Sequence, residues 1–204
     1  MKNEIDIEEE NKDIVRRYKA LLRSCNSEIT REDKKLIRKA FNLAVDAHKD
    51  VRRKSGKPYI LHPIAVAQIV AKDIGLDATS IACALLHDVV EDTEYTLNDI
   101  EKIFNPKIRK IIDGLTKISG FSEQDISSQA ENFRKMLLTI SDDVRVILIK
   151  LADRLHNMQT LDSMPNNKQQ KIGSETLYIY APLAHRLGLY SIKTELEDLG
   201  LKYT

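Results

Sequence analysis

The chain has 204 residues, 42% of them hydrophobic and 31% charged, proportions that suit one compact domain, or a domain with a helical extension. Its 32 lysines and arginines nearly cancel 31 aspartates and glutamates, so no overall field gathers nucleic acid or an anionic membrane, and any grip on a polyanion has to be local. Two cysteines, Cys25 and Cys83, argue against a disulfide framework, and neither a signal-peptide core nor an apolar run near the ~20 residues of a membrane span is present, which leads to the expectation of a soluble, cytoplasmic protein.

Apolar residues return at three and four positions almost throughout, as in Leu36, Ala40, Leu43, Ala44 and Ala47. Helices are predicted over 5–23, 31–49, 62–74, 78–92, 96–104, 106–118, 128–140, 142–160, 166–186 and 189–199, an all-α bundle of roughly ten helices without repeats. Residues 1–29 read as an amino-terminal helical extension of a domain that fills 1–204.

Between the second and third helices, Arg52-Arg53-Lys54-Ser55-Gly56-Lys57-Pro58-Tyr59-Ile60-Leu61-His62-Pro63 forms a basic, glycine-bearing loop that leads to a histidine before proline. With Lys49 it gathers five positive charges into nine positions. Arginine offers forked donors to phosphate and lysine a point charge, so the loop suits a compact polyanion. Taken alone, an ordinary solvated loop reads the same way.

The helix expected over 78–92 is apolar, with Cys83 as a small buried thiol, and ends in Leu86-His87-Asp88-Val89-Val90-Glu91-Asp92. As one continuous helix it places Asp88 and Asp92 four apart, His87 and Glu91 four apart, and Asp88 and Glu91 three apart, over a shared region. Three carboxylates at a helix carboxyl terminus oppose its dipole, and a cation relieves them. A solvated helix end is the plainer alternative.

Residues 119–125 are polar and aperiodic, an exposed loop near the site. Beyond it Val144-Arg145-Val146-Ile147-Leu148-Ile149 is β-branched enough for a strand. Helix is preferred because Val144, Ile147, Leu148, Leu151, Leu155 and Met158 make one long stripe at helical spacing. On the same helix Asp153, Asn157 and Thr160 recur at four and three as a polar ridge suited to lining a cavity, although a structural network around Asp153 and Arg154 is the alternative. The chain stops just after a helical pattern and reads as a cut.

His62, His87, Asp88 and Asp153 together supply two imidazoles and two carboxylates, a mixed set suited to Mn²⁺, Fe²⁺ or Zn²⁺. His48, His156 and His185 read as core or supporting residues, and Tyr59, Tyr178 and Tyr180 as packing residues.

The order histidine, histidine-aspartate, aspartate is the pattern of the HD phosphohydrolases. More narrowly, RKSGKPYILHP, HDVVEDT, DGLTK at 113–117, VILIKLADRLHNMQTL and APLAHRLGLYSIKTELEDL resemble, over nearly the whole chain, the amino-terminal hydrolase domain of the long RelA/SpoT (Rel) alarmone enzymes. The resemblance implies an HD-domain helical bundle that removes the 3′-pyrophosphate of (p)ppGpp as water attacks the phosphorus nearest the 3′ oxygen, giving GDP or GTP plus pyrophosphate and ending the stringent response. It further implies that His62, His87, Asp88 and Asp153 hold Mn²⁺ and that Glu91 and Asp92 orient and deprotonate the water. Arg53 would bracket guanine and phosphates, Lys54 and Ser55 contact the base, and Asn157 and Thr160 meet the ribose and 3′ side.

All these positions carry the residue the family expects, the acidic pair included, so an active hydrolase is expected. In long Rel proteins a synthetase domain and regulatory domains follow. The resemblance therefore implies a bifunctional parent, a GTP pyrophosphokinase, whose hydrolase answers to carboxy-terminal domains absent here and to the ribosome. Direct binding of nucleic acid or membrane by this domain is not expected. Two alternatives stand beside this reading: an HD phosphatase acting on another nucleotide such as NADPH, and a non-catalytic module that binds guanine nucleotides for regulation.

Overall fold

The computed structural model describes residues 7–25, 29–119 and 143–204. Among them all regular structure is helical, apart from an isolated bridge between Arg52 and Pro58. The elements are α1 (Ile7–Ser24), α2 (Arg31–Ala47), α3 (Leu61–Ile69, running into a π turn at Val70–Ile74), α4 (Ala78–Leu86), α5 (Val89–Asp92), α6 (Leu97–Ile103) and α7 (Pro106–Ser119). After them come α8 (Val144–Gln159), α9 (Asn166–Glu175, running into a π turn at Thr176–Tyr180), α10 (Ala181–Arg186) and α11 (Tyr190–Tyr203). The helix expected over 128–140 and nearly all of the loop expected over 119–125 lie outside the described residues. No described helix is long and apolar enough to cross a membrane.

Polar residues placed ahead of the apolar periodicities start the helices. Thr30 and Asp33 make a reciprocal capping box on α2, and Thr96 and Asp99 repeat it on α6. Asp77 accepts from the Ser80 N–H at the start of α4, and Asp143 from the Arg145 N–H at the start of α8. Gly75, at φ 78, closes the turn after α3 in the left-handed region that favours glycine.

The middle of the bundle is α4, buried at every residue from Ser80 to Leu86, packed between α2, α3, α7 and α8. On α8, Val146 and Ile149 are buried along with Ile147, Leu151, Leu155 and Met158. Burial on several sides explains why a β-branched run is helical here: tertiary packing outweighs its strand propensity. The α1 helix packs against the rest through fully buried Leu21 and through Tyr18, stacked on Phe41 at 4.0 Å between ring centroids.

Two helices expected to be continuous are interrupted. The segment 78–92 stops at Leu86, turns through His87 and Asp88, and resumes as the single turn of α5. The His87 ring supplies the reason: its Nδ1 lies 2.8 Å from the Ala84 carbonyl, the acceptor an unbroken helix gives to the Asp88 N–H. The segment 166–186 widens at Thr176–Tyr180 because Pro182 has no N–H and cannot continue the ladder. The last helix runs on to Tyr203, past the expected end at 199, with Gly200 inside it. A Cβ at Gly200 would lie 2.6 Å from Leu177 Cγ, so this glycine serves close helix packing.

Candidate metal centre and phosphate cleft

Three separated segments deliver the metal-ligating types to one place. His62 sits in the first turn of α3, His87 and Asp88 at the break between α4 and α5, and Asp153 midway along α8. His62 Nε2 lies 3.1 Å from Asp153 Oδ1 and 3.7 Å from Asp88 Oδ2. His87 Nε2 lies 3.0 Å from Asp88 Oδ2 and 3.7 Å from Asp153 Oδ1. Ligand atoms of His62, His87 and Asp153 all fall within 4.8 Å of one another.

The orientation of His87 decides whether these residues fit an ion. A carbonyl oxygen only accepts, so the bond to Ala84 puts the proton on Nδ1 and leaves Nε2 with a lone pair in the neutral ring. That Nε2 is buried without a hydrogen-bond partner and faces two carboxylates. Such an arrangement calls for a cation, either a second proton or a metal ion. Burial opposes charge on the ring, yet Asp88 and Asp153 raise the His87 pKa to about 10. Both carboxylates, although burial pushes them up, are held below the usual range, Asp88 by His87 and Asp153 by His62, His87 and Lys150. The donor set fits a divalent ion of the Mn²⁺, Fe²⁺ or Zn²⁺ kind, and His87 carries the second hydrogen bond that usually orients a metal-ligating imidazole.

Beside this centre a cleft of about 610 Å³ opens between the loop ahead of α3, α8 and α9. Seven cationic side chains line it, among them Arg53, Lys54, Lys168 and Lys171, against three carboxylates. A chain that is electrically almost neutral thus concentrates positive charge where the sequence placed its polyanion loop. Arg53 donates to Asn157 Oδ1 at 2.7 Å, and Asn157 donates to Asp153 Oδ1 at 2.7 Å. Arg52 is occupied otherwise: both of its terminal nitrogens bind Glu10, at 2.8 and 2.9 Å, and tie the loop to α1.

The site residues expected from sequence do not all reach the cleft. His62, Asp88, Asp153, Arg53, Lys54, Asn157 and Thr160 line it, while His87 is fully buried and does not, and Ser55 remains on the exposed turn. Glu91 and Asp92 are exposed on α5, outside the residues that line the cleft, because the break at His87 separates them from α4. Asp92 connects to the centre through the Tyr59 hydroxyl, which lies 3.2 Å from Asp92 Oδ2 and 2.5 Å from Asp88 Oδ2. Glu91 is among the charges that raise the pKa of buried Lys150 against its desolvation.

Sequence reasoning did not single out Lys150, Lys168 or Lys171, whereas it read His156 as a core or supporting residue and Arg154 as part of a structural network around Asp153. Lys150, 6% exposed, lies 3.8 Å from Asp153. His156 Nδ1 lies 2.7 Å from His62 Nδ1, so it braces one of the ligand candidates. Arg154 pairs with Glu175 at 3.3 Å and lies 4.1 Å over the Tyr180 ring, building the wall between α8 and α9. Lys168 and Lys171 sit three apart in a polar stretch that reads as a solvated face, and the only signal was that spacing. Of the remaining histidines, His48 is buried against Tyr59 and His185 is exposed, edge-on to Tyr190.

The family model described as an HD domain matches residues 40–190, a span that contains all four of the metal-ligating candidates. The chain belongs to the HD domain family. Among curated relatives, this HD domain is 51% identical over 169 residues to a probable guanosine-3′,5′-bis(diphosphate) 3′-pyrophosphohydrolase of Synechocystis, covering 82% of this chain and 22% of that protein. It is 50% identical to the bifunctional (p)ppGpp synthase/hydrolase SpoT of Escherichia coli, over 82% of this chain and 24% of that one. A GTP pyrophosphokinase of Myxococcus xanthus is 49% identical over 84% of this chain and 23% of its own length. The chain thus spans about a quarter of the length of the curated relatives it matches. A solved structure of a metazoan ortholog of SpoT, 24% identical, superposes with a TM-score of 0.59 over 82% of this chain and 94% of that one, a likeness of fold. An HD domain implies a divalent metal, and the histidines and aspartates gathered here fit one.

Proposed function

We propose that this HD domain hydrolyses the 3′-pyrophosphate of (p)ppGpp, releasing GDP or GTP and pyrophosphate. The observation that carries the reading is the adjacency of two elements: an imidazole and carboxylate cluster fit for a divalent ion, and a cleft crowded with cations. The 3′-pyrophosphohydrolase named among the relatives supports the choice of substrate.

In this reading His62, His87, Asp88 and Asp153 hold Mn²⁺. When bound, the ion supplies Lewis acidity and charge neutralisation at the reacting phosphate. Glu91 and Asp92 orient and deprotonate the attacking water, general-base help that typically contributes ~10²–10⁴-fold. Arg53 brackets the guanine and the phosphates, Lys54 and Ser55 contact the base, and Asn157 and Thr160 meet the ribose and the 3′ side. Arg53, already braced by Asn157, offers a forked donor whose ordering cost is partly met before substrate arrives.

For the whole protein, the bifunctional (p)ppGpp synthase/hydrolase named among the relatives supports a synthetase beside the hydrolase; action in the cytoplasm and control of the hydrolase by carboxy-terminal domains and the ribosome belong to the same proposal. The test is to incubate the Mn²⁺-loaded chain with ppGpp and separate the products by anion exchange. GDP and pyrophosphate are expected; orthophosphate as the product, or unchanged ppGpp beside a hydrolysed alternative such as NADPH, overturns the assignment.

A further inference from the structure

We propose that Tyr59 is a positioning residue of the metal centre, its hydroxyl fixing the ion-facing oxygen of Asp88 and holding Asp92 beside it. The inference rests on the reading above, in which Asp88 is a ligand and Asp92 serves the water. A tyrosine between a basic loop and a helix reads in sequence as a packing residue, and for packing the ring is enough. The hydroxyl is the informative atom.

That hydroxyl lies 2.5 Å from Asp88 Oδ2, the same oxygen that stands 3.0 Å from His87 Nε2 and 3.7 Å from His62 Nε2. A carboxylate oxygen has two lone pairs, and the phenol occupies one while the other is left for the space between the imidazoles. The terminal torsion of an aspartate is broad and soft, so without such a bond the carboxylate is free to rotate its oxygens away from the ion. The second contact, 3.2 Å to Asp92 Oδ2, makes the hydroxyl a bridge across the break between α4 and α5. One proton cannot serve both carboxylates equally, and the shorter contact gives Asp88 the larger share.

The ring is itself held in place. Its face lies on buried His48 at 4.7 Å between centroids, its edge meets His62 at 5.8 Å, and its backbone N–H donates to the Val51 carbonyl at 3.0 Å. Neither ring nitrogen of His48 has a hydrogen-bond partner among the described residues, so His48 acts toward Tyr59 as a flat wall. The phenol is therefore preorganised, and the loop that carries Arg53 and Lys54 ends in the group that steadies a ligand.

The test compares Tyr59→Phe with the wild-type chain by calorimetric titration with Mn²⁺, thermal melting, and steady-state hydrolysis of ppGpp. Phenylalanine preserves the ring on His48 and removes only the bridge. The expected result is an unchanged melting temperature without metal, with Mn²⁺ affinity and kcat lowered by the ~10–100-fold that loss of a partner behind a metal ligand typically costs, and KM little altered. Wild-type Mn²⁺ affinity together with wild-type kcat overturns the proposal. So does a rise in KM alone, which assigns Tyr59 to substrate, or failure of the variant to fold, which makes the hydroxyl a folding element. The Mn²⁺ titration needs no nucleotide and decides the role of Tyr59 even if wild-type protein leaves ppGpp intact, in which case the assigned reaction alone fails.

Discussion

His62 Nδ1 and His156 Nδ1 lie 2.7 Å apart, a separation at which one nitrogen must donate to the other. Burial first, then the neighbouring His62 and the Arg53 guanidinium, push the His156 pKa down to about 3, so His156 is the neutral partner. If it accepts on Nδ1, His62 carries its proton on Nδ1 and presents an unprotonated Nε2 toward Asp153. His156 then does for His62 what the Ala84 carbonyl does for His87.

Replacing His156 with leucine, which fills space without an acceptor, is accordingly expected to weaken Mn²⁺ binding ~10–100-fold. Asparagine, whose side-chain oxygen can stand near the position of Nδ1, should lose less. Calorimetric titration of the two variants checks this, and equal losses would show that size and not the accepted proton matters.

Metal loading should stabilise the fold, because the four ligand candidates come from α3, the α4–α5 break and α8, elements that separate on unfolding. At a free ion concentration a hundred times Kd the gain is about 2.7 kcal/mol, or about 5–10 °C at the ~2–4 °C per kcal/mol usual for a chain of this size. Melting curves with Mn²⁺ and with a chelator measure the difference. In His87→Ala the difference should vanish, and a shift as large as wild type would remove His87 from the ligand set.

Helix identity was legible wherever periodicity and a cap agreed, as in α2 behind Thr30 and α6 behind Thr96. The break at His87 was not, because Leu86-His87-Asp88-Val89-Val90 preserves helical periodicity and the competing bond runs from a ring to a carbonyl, which no hydropathy pattern records. The same limit applies to the site. Residue types at His62, His87, Asp88 and Asp153 announced metal chemistry, but Tyr59 meets Asp88 across 29 positions and His156 meets His62 across 94, contacts that exist only once the bundle has closed. Ser55, assigned to the base by resemblance alone, stands on an exposed turn, a placement that no hydropathy pattern records.

Acid should weaken the start of α8 through Asp143. Its carboxylate accepts from the Arg145 backbone at 3.1 Å and binds the Arg145 side chain at 2.5 Å, and these bonds lower its pKa against the effect of burial. A depressed carboxylate stabilises the fold above the unfolded value of about 3.9 and loses that contribution as pH falls through the folded pKa. Asp143→Ala is therefore expected to cost about 0.5–2 kcal/mol at neutral pH, the usual range for a lost amino-terminal cap. In urea unfolding the gap between variant and wild type should stay constant down to pH ~4 and narrow below it; a gap independent of pH would mean that the carboxylate charge is not what caps the helix.

Lys168 and Lys171 face the cleft from α9, opposite the loop of Arg53 and Lys54. No hydrogen bond or ion pair joins either lysine to His62, His87, Asp88 or Asp153 among the described residues, and in the proposed reaction their charges act on substrate capture and not on the chemistry. Glutamine at either position should raise KM with kcat unchanged, by roughly fivefold for the ~1 kcal/mol that an exposed ion pair yields at best. Because such pairs are screened by salt, the variants should also flatten the dependence of KM on ionic strength. A fall in kcat with constant KM would place these lysines in the transition state, whereas unaltered kinetics at low salt would mean that the substrate lies wholly on the Arg53 side of the cleft.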